Sequence, residues 1–298
     1  MNIKFKILLK SLRIYQWSKN ILLFVPLLLA HKYTEVYAIQ NTILAFFSFN
    51  FIASAVYLIN DYFDLETDKK HETKKHRPLA NGELSVLQYS IIATVILILG
   101  VITSAYISIN FIFVIVFYFI LSNLYSYKLK KIILVDVFVL TAFYIIRIIA
   151  GAIAIEVKLS FWILAFSLFF FLSLALLKRY VELSKANNTN QKKLLSSRTI
   201  VYYKEDLLIV NIIGIVSGIL SIVIILFFIN SETALNNYKT PELIWFIAPI
   251  LLYWISSLWF IAHRNKIDYD PVYYVVRSKT NWIIMFAILT LILVSKVW

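Results

Sequence analysis

The chain has 298 residues, of which 61% are hydrophobic and 15% are charged, and its mean hydropathy is +0.81. About a quarter of the residues in soluble domains are charged, so this composition excludes an ordinary soluble protein and indicates a polytopic membrane protein. The absence of cysteine excludes disulfides, thiolate nucleophiles and zinc–thiolate sites, whereas the net charge of +13 is compatible with either nucleic-acid binding or membrane topology.

The N-terminal 20 residues are basic and lead into a short apolar run at 21–30. No small-residue cleavage site follows, which predicts a retained first helix rather than a secretory signal. Eight further apolar runs predict spanning helices, since about 20 residues cross a bilayer. They lie at about 38–59, 86–107, 110–126, 132–154, 161–177, 207–229, 243–262 and 282–297. The predicted fold class is therefore all-α, with a bundle of about nine transmembrane helices forming a single domain over residues 1–298.

Three local features refine these helices. Ser85 and Gln88 have the spacing of a capping box, which predicts a helix start at this point. Pro26 and Pro249 lie within predicted spans, where proline kinks a helix without ending it because neighbouring groups can satisfy the freed carbonyls.

Basic residues are distributed unevenly between the predicted loops. If the N-terminus is cytoplasmic, 24 of the 29 Lys and Arg residues fall on the cytoplasmic side. This bias predicts a cytoplasmic N-terminus and a C-terminus outside. The basic residues segregate by membrane side and form no aromatic–basic repeat of the kind that stacks bases, so no nucleic-acid partner is expected.

The stretch after the second predicted span combines acids at helical spacing. Tyr57, Asn60, Asp61, Asp64 and Asp68 fall at offsets 0, 3, 4, 7 and 11, which places them on one face of a continuous helix. Crowded carboxylates repel one another unless a cation neutralises them. Mg²⁺ fits this set because it prefers oxygen ligands and shares its coordination with substrate phosphates.

Basic residues follow the acids at once, and they could hold the outer oxygens of a phosphate group. They are Lys69, Lys70, Lys74, Lys75 and Arg77. Other polar side chains lie at the same predicted cytoplasmic ends of the helices and imply a polar cavity that faces the cytoplasm. They are Lys19, Asn20, Tyr125, Lys128, Lys130, Lys178, Arg179 and Glu182.

Arg147 lies in the middle of a predicted span. A charge at that depth costs roughly 2.5–3.5 kcal/mol, so Arg147 should face the protein interior, where it either binds a substrate phosphate or braces the bundle. Asp136 precedes it by eleven residues, about 16 Å along a helix, so a direct pair is not expected.

The sequence resembles the UbiA superfamily of intramembrane prenyltransferases over nearly its whole length. The pattern Asn60-Asp61-x-x-Asp64-x-x-x-Asp68 is similar to the first aspartate-rich motif of that superfamily. Within it, the chain looks most like the decaprenyl-phosphate phosphoribosyltransferase branch. The matching segments are Arg13-x-x-Gln16-Trp17-x-Lys19-Asn20, Lys74-Lys75-x-Arg77-Pro78-x-Ala80-x-Gly82, Tyr125-Ser126-x-x-Leu129-Lys130 with Asp136, Arg147-x-x-Ala150-Gly151, Lys178-Arg179-x-x-Glu182 and Asp270-Pro271-Val272.

This resemblance implies a Mg²⁺-dependent transferase of the inner cell membrane, with its active site facing the cytoplasm. The implied substrates are phosphoribosyl pyrophosphate and a polyprenyl phosphate of the decaprenyl type, for synthesis of a cell-envelope glycan precursor. The implied catalytic residues are Asp61, Asp64 and Asp68, which with Asn60 would hold the metal. The implied substrate-binding residues are Lys19, Asn20, Tyr57, Asn60, Lys74, Lys75, Arg77, Tyr125, Lys130, Asp136, Arg147, Lys178, Arg179 and Glu182.

One departure from the superfamily pattern bears on the substrate. Aromatic prenyltransferases of the superfamily carry a second aspartate-rich motif where this chain has Lys178, Arg179 and Glu182. Basic residues there suit a phosphate without a second metal, which favours the phosphoribosyl reaction. Two alternatives stay open. An aromatic or quinone-type prenyltransferase would need a second carboxylate cluster, and a transporter would place ionisable groups near the bilayer midplane.

Overall fold

A computed structural model describes residues 3–71, 73–188, 202–203, 205–267, 274–275 and 278–297. The described chain contains helices and no strands, which confirms the predicted fold class. The α-helices are α1 (Ile3–Ser11), α2 (Val25–Leu29), α3 (Val36–Phe63), α4 (Leu65–Lys69), α5 (Val86–Ala105), α6 (Ile109–Tyr127), α7 (Val135–Ala154), α8 (Phe161–Asn188), α9 (Asp206–Ile229), α10 (Glu232–Asn237), α11 (Ile247–His263) and α12 (Lys279–Val297). Segments of 3₁₀-helix cover Ile14–Phe24, Lys74–His76, Leu129–Lys131 and Pro241–Phe246.

Eight helical segments of the described chain are long and apolar enough to cross a membrane. They are Val36–Phe63, Val86–Ala105, Ile109–Tyr127, Val135–Ala154, Phe161–Lys185, Asp206–Ile229, Pro241–His263 and Lys279–Val297. The short first span predicted at 21–30 belongs to a shorter apolar segment, Ile14–Leu29. The protein is therefore an integral membrane protein with a polytopic helical bundle.

The capping box predicted at the start of α5 is confirmed. Ser85 Oγ accepts a hydrogen bond from the Gln88 backbone N–H at 3.2 Å, and Gln88 Oε1 accepts one from the Ser85 N–H at 3.0 Å. Pro249 lies within the span Pro241–His263, as predicted, and Pro26 lies within the shorter apolar segment Ile14–Leu29. Pro26 and Pro249 lie in the first turns of α2 and α11, where the chain changes from 3₁₀- to α-helix and a proline needs no intrahelical donor.

The first of two compact units comprises Met1–Lys128 and Ile146–Lys158. Its central helix is α3, which contacts α5, α6 and the 3₁₀ segment Ile14–Phe24. Most of α3 is buried, whereas α5 and α6 expose large apolar side chains, as expected for helices that face lipid. The acid-rich stretch therefore begins at the end of the most buried long helix of this unit.

The second unit comprises Leu129–Ile145 and Leu159–Trp298, so α7 begins in the second unit and ends in the first. Here α8 and α9 pack along each other, and α9 also contacts α11. Gly214 and Gly218 lie one turn apart on α9, against Trp259 and Ile255 respectively. Small residues at this spacing let membrane helices approach closely.

Candidate active site

The acid-rich stretch spans the end of α3, a turn at Asp64 and the short helix α4. The single uninterrupted helix expected through Asp68 is therefore wrong. Helical hydrogen bonding nevertheless continues, because the Asp64 N–H donates to the Asn60 carbonyl at 2.9 Å and the Asp68 N–H to the Asp64 carbonyl at 2.8 Å. A turn at Asp64 interrupts the helix, yet Asp61 and Asp68 both contact Arg77.

Asp61 is the centre of this cluster, and it is only 3% exposed. Its Oδ1 accepts hydrogen bonds from Arg13 Nη2 at 2.5 Å and from Arg77 Nη1 at 2.7 Å. Its Oδ2 accepts one from the Tyr89 hydroxyl at 2.9 Å. A carboxylate is costly to bury unless it is paired and hydrogen-bonded, and these three donors satisfy that requirement.

Asp68 is buried beside the same arginine. Arg77 Nη1, which binds Asp61, also donates to Asp68 Oδ2. Lys74 Nζ lies 3.4 Å from the other oxygen, Asp68 Oδ1, but outside hydrogen-bonding geometry. One oxygen of Asp68 is therefore strongly bound, while the other is buried next to a cation without accepting a hydrogen bond.

The N-terminal segment brings Arg13 to Asp61. Trp17 Nε1 donates to Ser54 Oγ at 3.2 Å, and Ser54 Oγ donates to the Leu12 carbonyl at 2.9 Å, so this segment is fastened to α3. Arg13 itself has a left-handed backbone with φ of 51°, and its guanidinium lies 4.9 Å from the ring centroid of Tyr57. Burial lowers the pKa of Arg13, but Asp61 and the neighbouring tyrosines together raise it more, so the net shift is upward and the side chain stays charged.

The predicted metal ligands are only partly brought together. Within the described residues, no three His, Cys, Asp or Glu side chains cluster closely enough to form a metal site. Asn60 Nδ2 donates to Ser126 Oγ at 2.8 Å and so ties α3 to α6. Yet one oxygen of Asp61 and one of Asp68 contact the same cationic nitrogen of Arg77, so these two carboxylates together bind one positive charge. Carboxylate oxygens are also the ligands that Mg²⁺ prefers. These residues fit a divalent cation, and the four-ligand site stays a prediction.

A second polar network in the first unit surrounds Arg147, which is 5% exposed. Its Nε donates to Asn20 Oδ1 at 2.6 Å and its Nη2 to the Tyr118 hydroxyl at 3.3 Å. Its guanidinium also lies 5.1 Å from the ring centroid of Phe49. Asn20 continues the network to Asn50 on α3 at 2.5 Å. These contacts favour the bracing role for Arg147 and Asn20, and substrate binding by either residue stays a prediction.

The second unit contains its own charged cluster. Arg179 Nε donates to Asp136 Oδ2 at 2.5 Å, and Arg179 Nη1 donates to Glu182 Oε2. The Tyr202 hydroxyl donates to Asp136 Oδ1 at 2.7 Å and accepts from the Leu134 N–H at 2.9 Å. Burial raises the pKa of Tyr202, and the hydrogen bond to Asp136 raises it further, so the hydroxyl remains a donor at neutral pH.

This cluster bears on the role that the sequence predicts for Arg179. The sequence predicts that Arg179 binds a phosphate, whereas here two carboxylates offset its charge. Two carboxylates of the same unit therefore hold the Arg179 side chain in place, and its contact with a phosphate stays a prediction.

The remaining predicted substrate-binding residues are partly or fully exposed. Lys19 lies on the 3₁₀ segment Ile14–Phe24, Lys75 on the 3₁₀ turn Lys74–His76, Tyr125 near the end of α6, Lys130 on the 3₁₀ turn Leu129–Lys131 and Lys178 on α8. The Asp270-Pro271-Val272 segment lies outside the described residues.

Sequence reasoning assigned no site role to three residues that complete these clusters. Arg13 lies in one of the segments that match the family, and this match was the signal in the sequence that could have identified it as a site residue. Tyr89 and Tyr202 are 28 and 66 residues from the aspartates they bind, Asp61 and Asp136, and no local pattern connects them.

Comparison with known proteins identifies the family. Residues 21–187 match the family model described as the UbiA prenyltransferase family, which is more than half of the chain. The chain belongs to the UbiA prenyltransferase family. It is therefore a transferase, and the resemblance inferred from the aspartate-rich motif is confirmed.

Three curated proteins are similar to the chain over most of its length. An uncharacterized protein of Sinorhizobium fredii is 36% identical over 93% of this chain and 53% of the relative, so the chain spans about half of that protein's length. The nodulation protein NoeC of Azorhizobium caulinodans is 30% identical over 91% of this chain and 87% of the relative. The decaprenyl-phosphate phosphoribosyltransferase of Mycobacterium tuberculosis is 36% identical over 65% of this chain and 67% of the relative.

Solved structures support the fold of a UbiA-family protein. A UbiA homolog from Archaeoglobus fulgidus, solved bound to DMAPP and Mg²⁺, has a TM-score of 0.70. The match covers 97% of this chain and 99% of that chain at 16% sequence identity. At this identity the likeness establishes the fold alone.

Proposed function

We propose that this UbiA-family protein transfers a 5-phosphoribosyl group from phosphoribosyl pyrophosphate to a polyprenyl phosphate and releases diphosphate. The observation that carries the proposal is its 36% identity to a decaprenyl-phosphate phosphoribosyltransferase over about two thirds of both chains. The acid and base cluster of the first unit supplies the chemistry that a diphosphate leaving group requires.

The predicted site residues of the first unit have distinct proposed roles. Lys19, Lys75 and Arg77 would offset the negative charge that grows on the diphosphate as the bond to ribose C1 breaks. The electron pair of that bond leaves with the diphosphate, and an oxygen of the lipid phosphate forms the new bond to C1. The lipid phosphate is already ionised, so no strong general base is needed. Tyr57 and Tyr125 would align the reactants.

A divalent cation, proposed to be Mg²⁺, would be held by Asn60, Asp61, Asp64 and Asp68. Bound there, it would supply Lewis-acid stabilisation of the diphosphate. The chain's own contribution is to orient two of these side chains, since Ser126 holds Asn60 while Arg13 and Tyr89 hold Asp61.

Membranes containing the protein test the proposed reaction directly. They are incubated with phosphoribosyl pyrophosphate labelled in the ribose and with decaprenyl phosphate, and the lipids are then extracted. We expect label in the lipid fraction only when both substrates are present. Label transfer from a polyprenyl diphosphate to an aromatic acceptor, with none from phosphoribosyl pyrophosphate, would contradict the proposal and support the aromatic alternative.

Activity is expected to require a divalent cation. EDTA should abolish transfer, added Mg²⁺ should restore it, and Asp64→Ala should lower it by at least about tenfold because one lost ligand weakens the hold on the metal. Glu66→Gln is the matched control, since Glu66 is an exposed acid on the neighbouring helix α4 that pairs with Lys69. Full turnover in EDTA would refute the metal requirement.

We propose that the active site faces the cytoplasm at the inner cell membrane, with the C-terminus outside. The segment Ile14–Leu29 decides the last point, because eight spans without it would return the C-terminus to the side of the N-terminus. An alkaline phosphatase reporter fused after Trp298 should be active, and one fused after Lys131 inactive. An inactive reporter after Trp298 would mean that Ile14–Leu29 does not cross the membrane.

A further inference from the structure

Arg77 contacts two of the carboxylates that would hold the proposed divalent cation. Its Nη1 is 2.7 Å from Asp61 Oδ1 and also donates to Asp68 Oδ2. A single positively charged nitrogen therefore contacts one oxygen from each acid. Arg77 therefore occupies carboxylate oxygens that the proposed metal site would need.

We propose that Arg77 is an internal counter-ion, which holds the metal position in the ligand-free protein and transfers to the diphosphate when a divalent cation enters. The second half of this statement rests on the proposed function, because it requires a diphosphate ligand. The first half concerns the free protein alone, so the two can be tested separately.

The surroundings of Arg77 allow it to leave without stranding Asp61. If Arg77 moves, Asp61 keeps Arg13 on Oδ1 and the Tyr89 hydroxyl on Oδ2. Arg13 is also held against the ring of Tyr57. Asp61 therefore remains paired, and its carboxylate stays in place to receive a cation.

Asp68 is the less satisfied partner. Its Oδ1 accepts no hydrogen bond, although it is buried and Lys74 Nζ lies 3.4 Å away. After Arg77 leaves, Oδ2 would also be open, so Asp68 would present both oxygens to a cation. The Arg77 side chain is 24% exposed, which gives its guanidinium access to a ligand at the surface of the cluster.

Competition for the same oxygens has a thermodynamic consequence. A metal ion that binds Asp61 and Asp68 must displace Arg77, and a diphosphate that binds Arg77 removes that competitor. Arginine suits this transfer because its planar guanidinium binds phosphate oxygens as readily as carboxylate oxygens. Metal and diphosphate should therefore strengthen each other's binding, and by linkage the strengthening is equal in both directions.

Binding of Mn²⁺, measured by electron paramagnetic resonance on the purified full chain without substrates, tests the first half. Arg77→Gln should bind Mn²⁺ about tenfold more tightly than the wild type, because one competing charge-assisted contact is gone. Arg77→Lys keeps a cation and should stay near the wild type. Lys70→Gln removes the same charge from an exposed position in the same loop and should change the affinity by less than about twofold.

Inorganic diphosphate then tests the transfer. It should raise the Mn²⁺ affinity of the wild type more than that of Arg77→Gln, and complex formation between Mn²⁺ and diphosphate in solution cancels in this comparison. If Arg77→Gln binds Mn²⁺ no more tightly than Lys70→Gln, the proposal is overturned even if phosphoribosyl transfer is found. If the tighter binding is found but no phosphoribosyl transfer occurs, the counter-ion role stands and the proposed function fails.

Discussion

Replacing Asp61 by Asn is expected to lower phosphoribosyl transfer by at least about a hundredfold, which is about 2.7 kcal/mol of barrier, because it removes a proposed metal ligand together with the charge that pairs two arginines of the site. The substitution keeps the size of the side chain but removes the charge that holds Arg13 and Arg77 together. Two guanidinium groups would then face each other across a neutral amide. The labelled-lipid assay measures the effect.

Tyr89→Phe is the graded companion to this variant. It removes a single neutral donor to Asp61 Oδ2 and leaves both arginines in place, so a loss of about threefold to tenfold is expected. Glu66→Gln should remain at the wild-type rate. If Asp61→Asn transfers at the same rate as Glu66→Gln, the cluster around Asp61 has no part in the reaction.

Replacing Gly151 by Ala is expected to prevent formation of a stable bundle. A Cβ at this position of α7 would overlap the backbone carbonyl of Leu23, which is part of the 3₁₀ segment Ile14–Phe24. A backbone group cannot rotate away as a side chain can, so the helix or the segment must move. Overpacking of this kind costs about 1–3 kcal/mol or more, and thermal unfolding in detergent should show a lower midpoint or no folded protein.

Gly100→Ala provides the matched control in the same unit. There the new Cβ would meet Ile52 Cδ1 at 2.7 Å, which is the far end of a flexible side chain that can adjust. Its loss of stability should be clearly smaller. Equal midpoints for the two variants would show that α7 does not approach Leu23 as closely as described.

Much of the helical layout follows from hydrophobic runs alone. Seven of the eight long spans were predicted within four residues at each end, because an apolar run of bilayer length has few other stable conformations in lipid. The span predicted at 161–177 instead extends to Lys185. The capping box at Ser85 was predicted for a similar reason, since its hydrogen bonds join residues only three apart. The short first segment was less certain, because a run of 21–30 is too brief for length to decide whether it spans.

The candidate site was likewise predicted only where it depends on residues that are close together in the sequence. The sequence predicts that Asp61, Asp68 and Arg77 belong to one site, because they lie close together in the chain. It does not indicate that Arg77 binds both acids, nor that the helix turns at Asp64, because those depend on the path of the loop between α4 and α5. The expectation that these acids are free to form a metal site missed the competition from arginines within the chain.

The sequence by itself determined the membrane environment, the family motif and the clustering of acids and bases near one end of α3, since each depends on residues close together in the chain. Only the tertiary structure decided which hydrogen-bond donors each acid binds. Arg13 and Tyr89 reach Asp61 from segments 48 and 28 residues away, and Arg179 reaches Asp136 across 43 residues. Buried charges must be paired, but the choice of partner is made by the packing of helices, which brings distant residues within hydrogen-bonding distance.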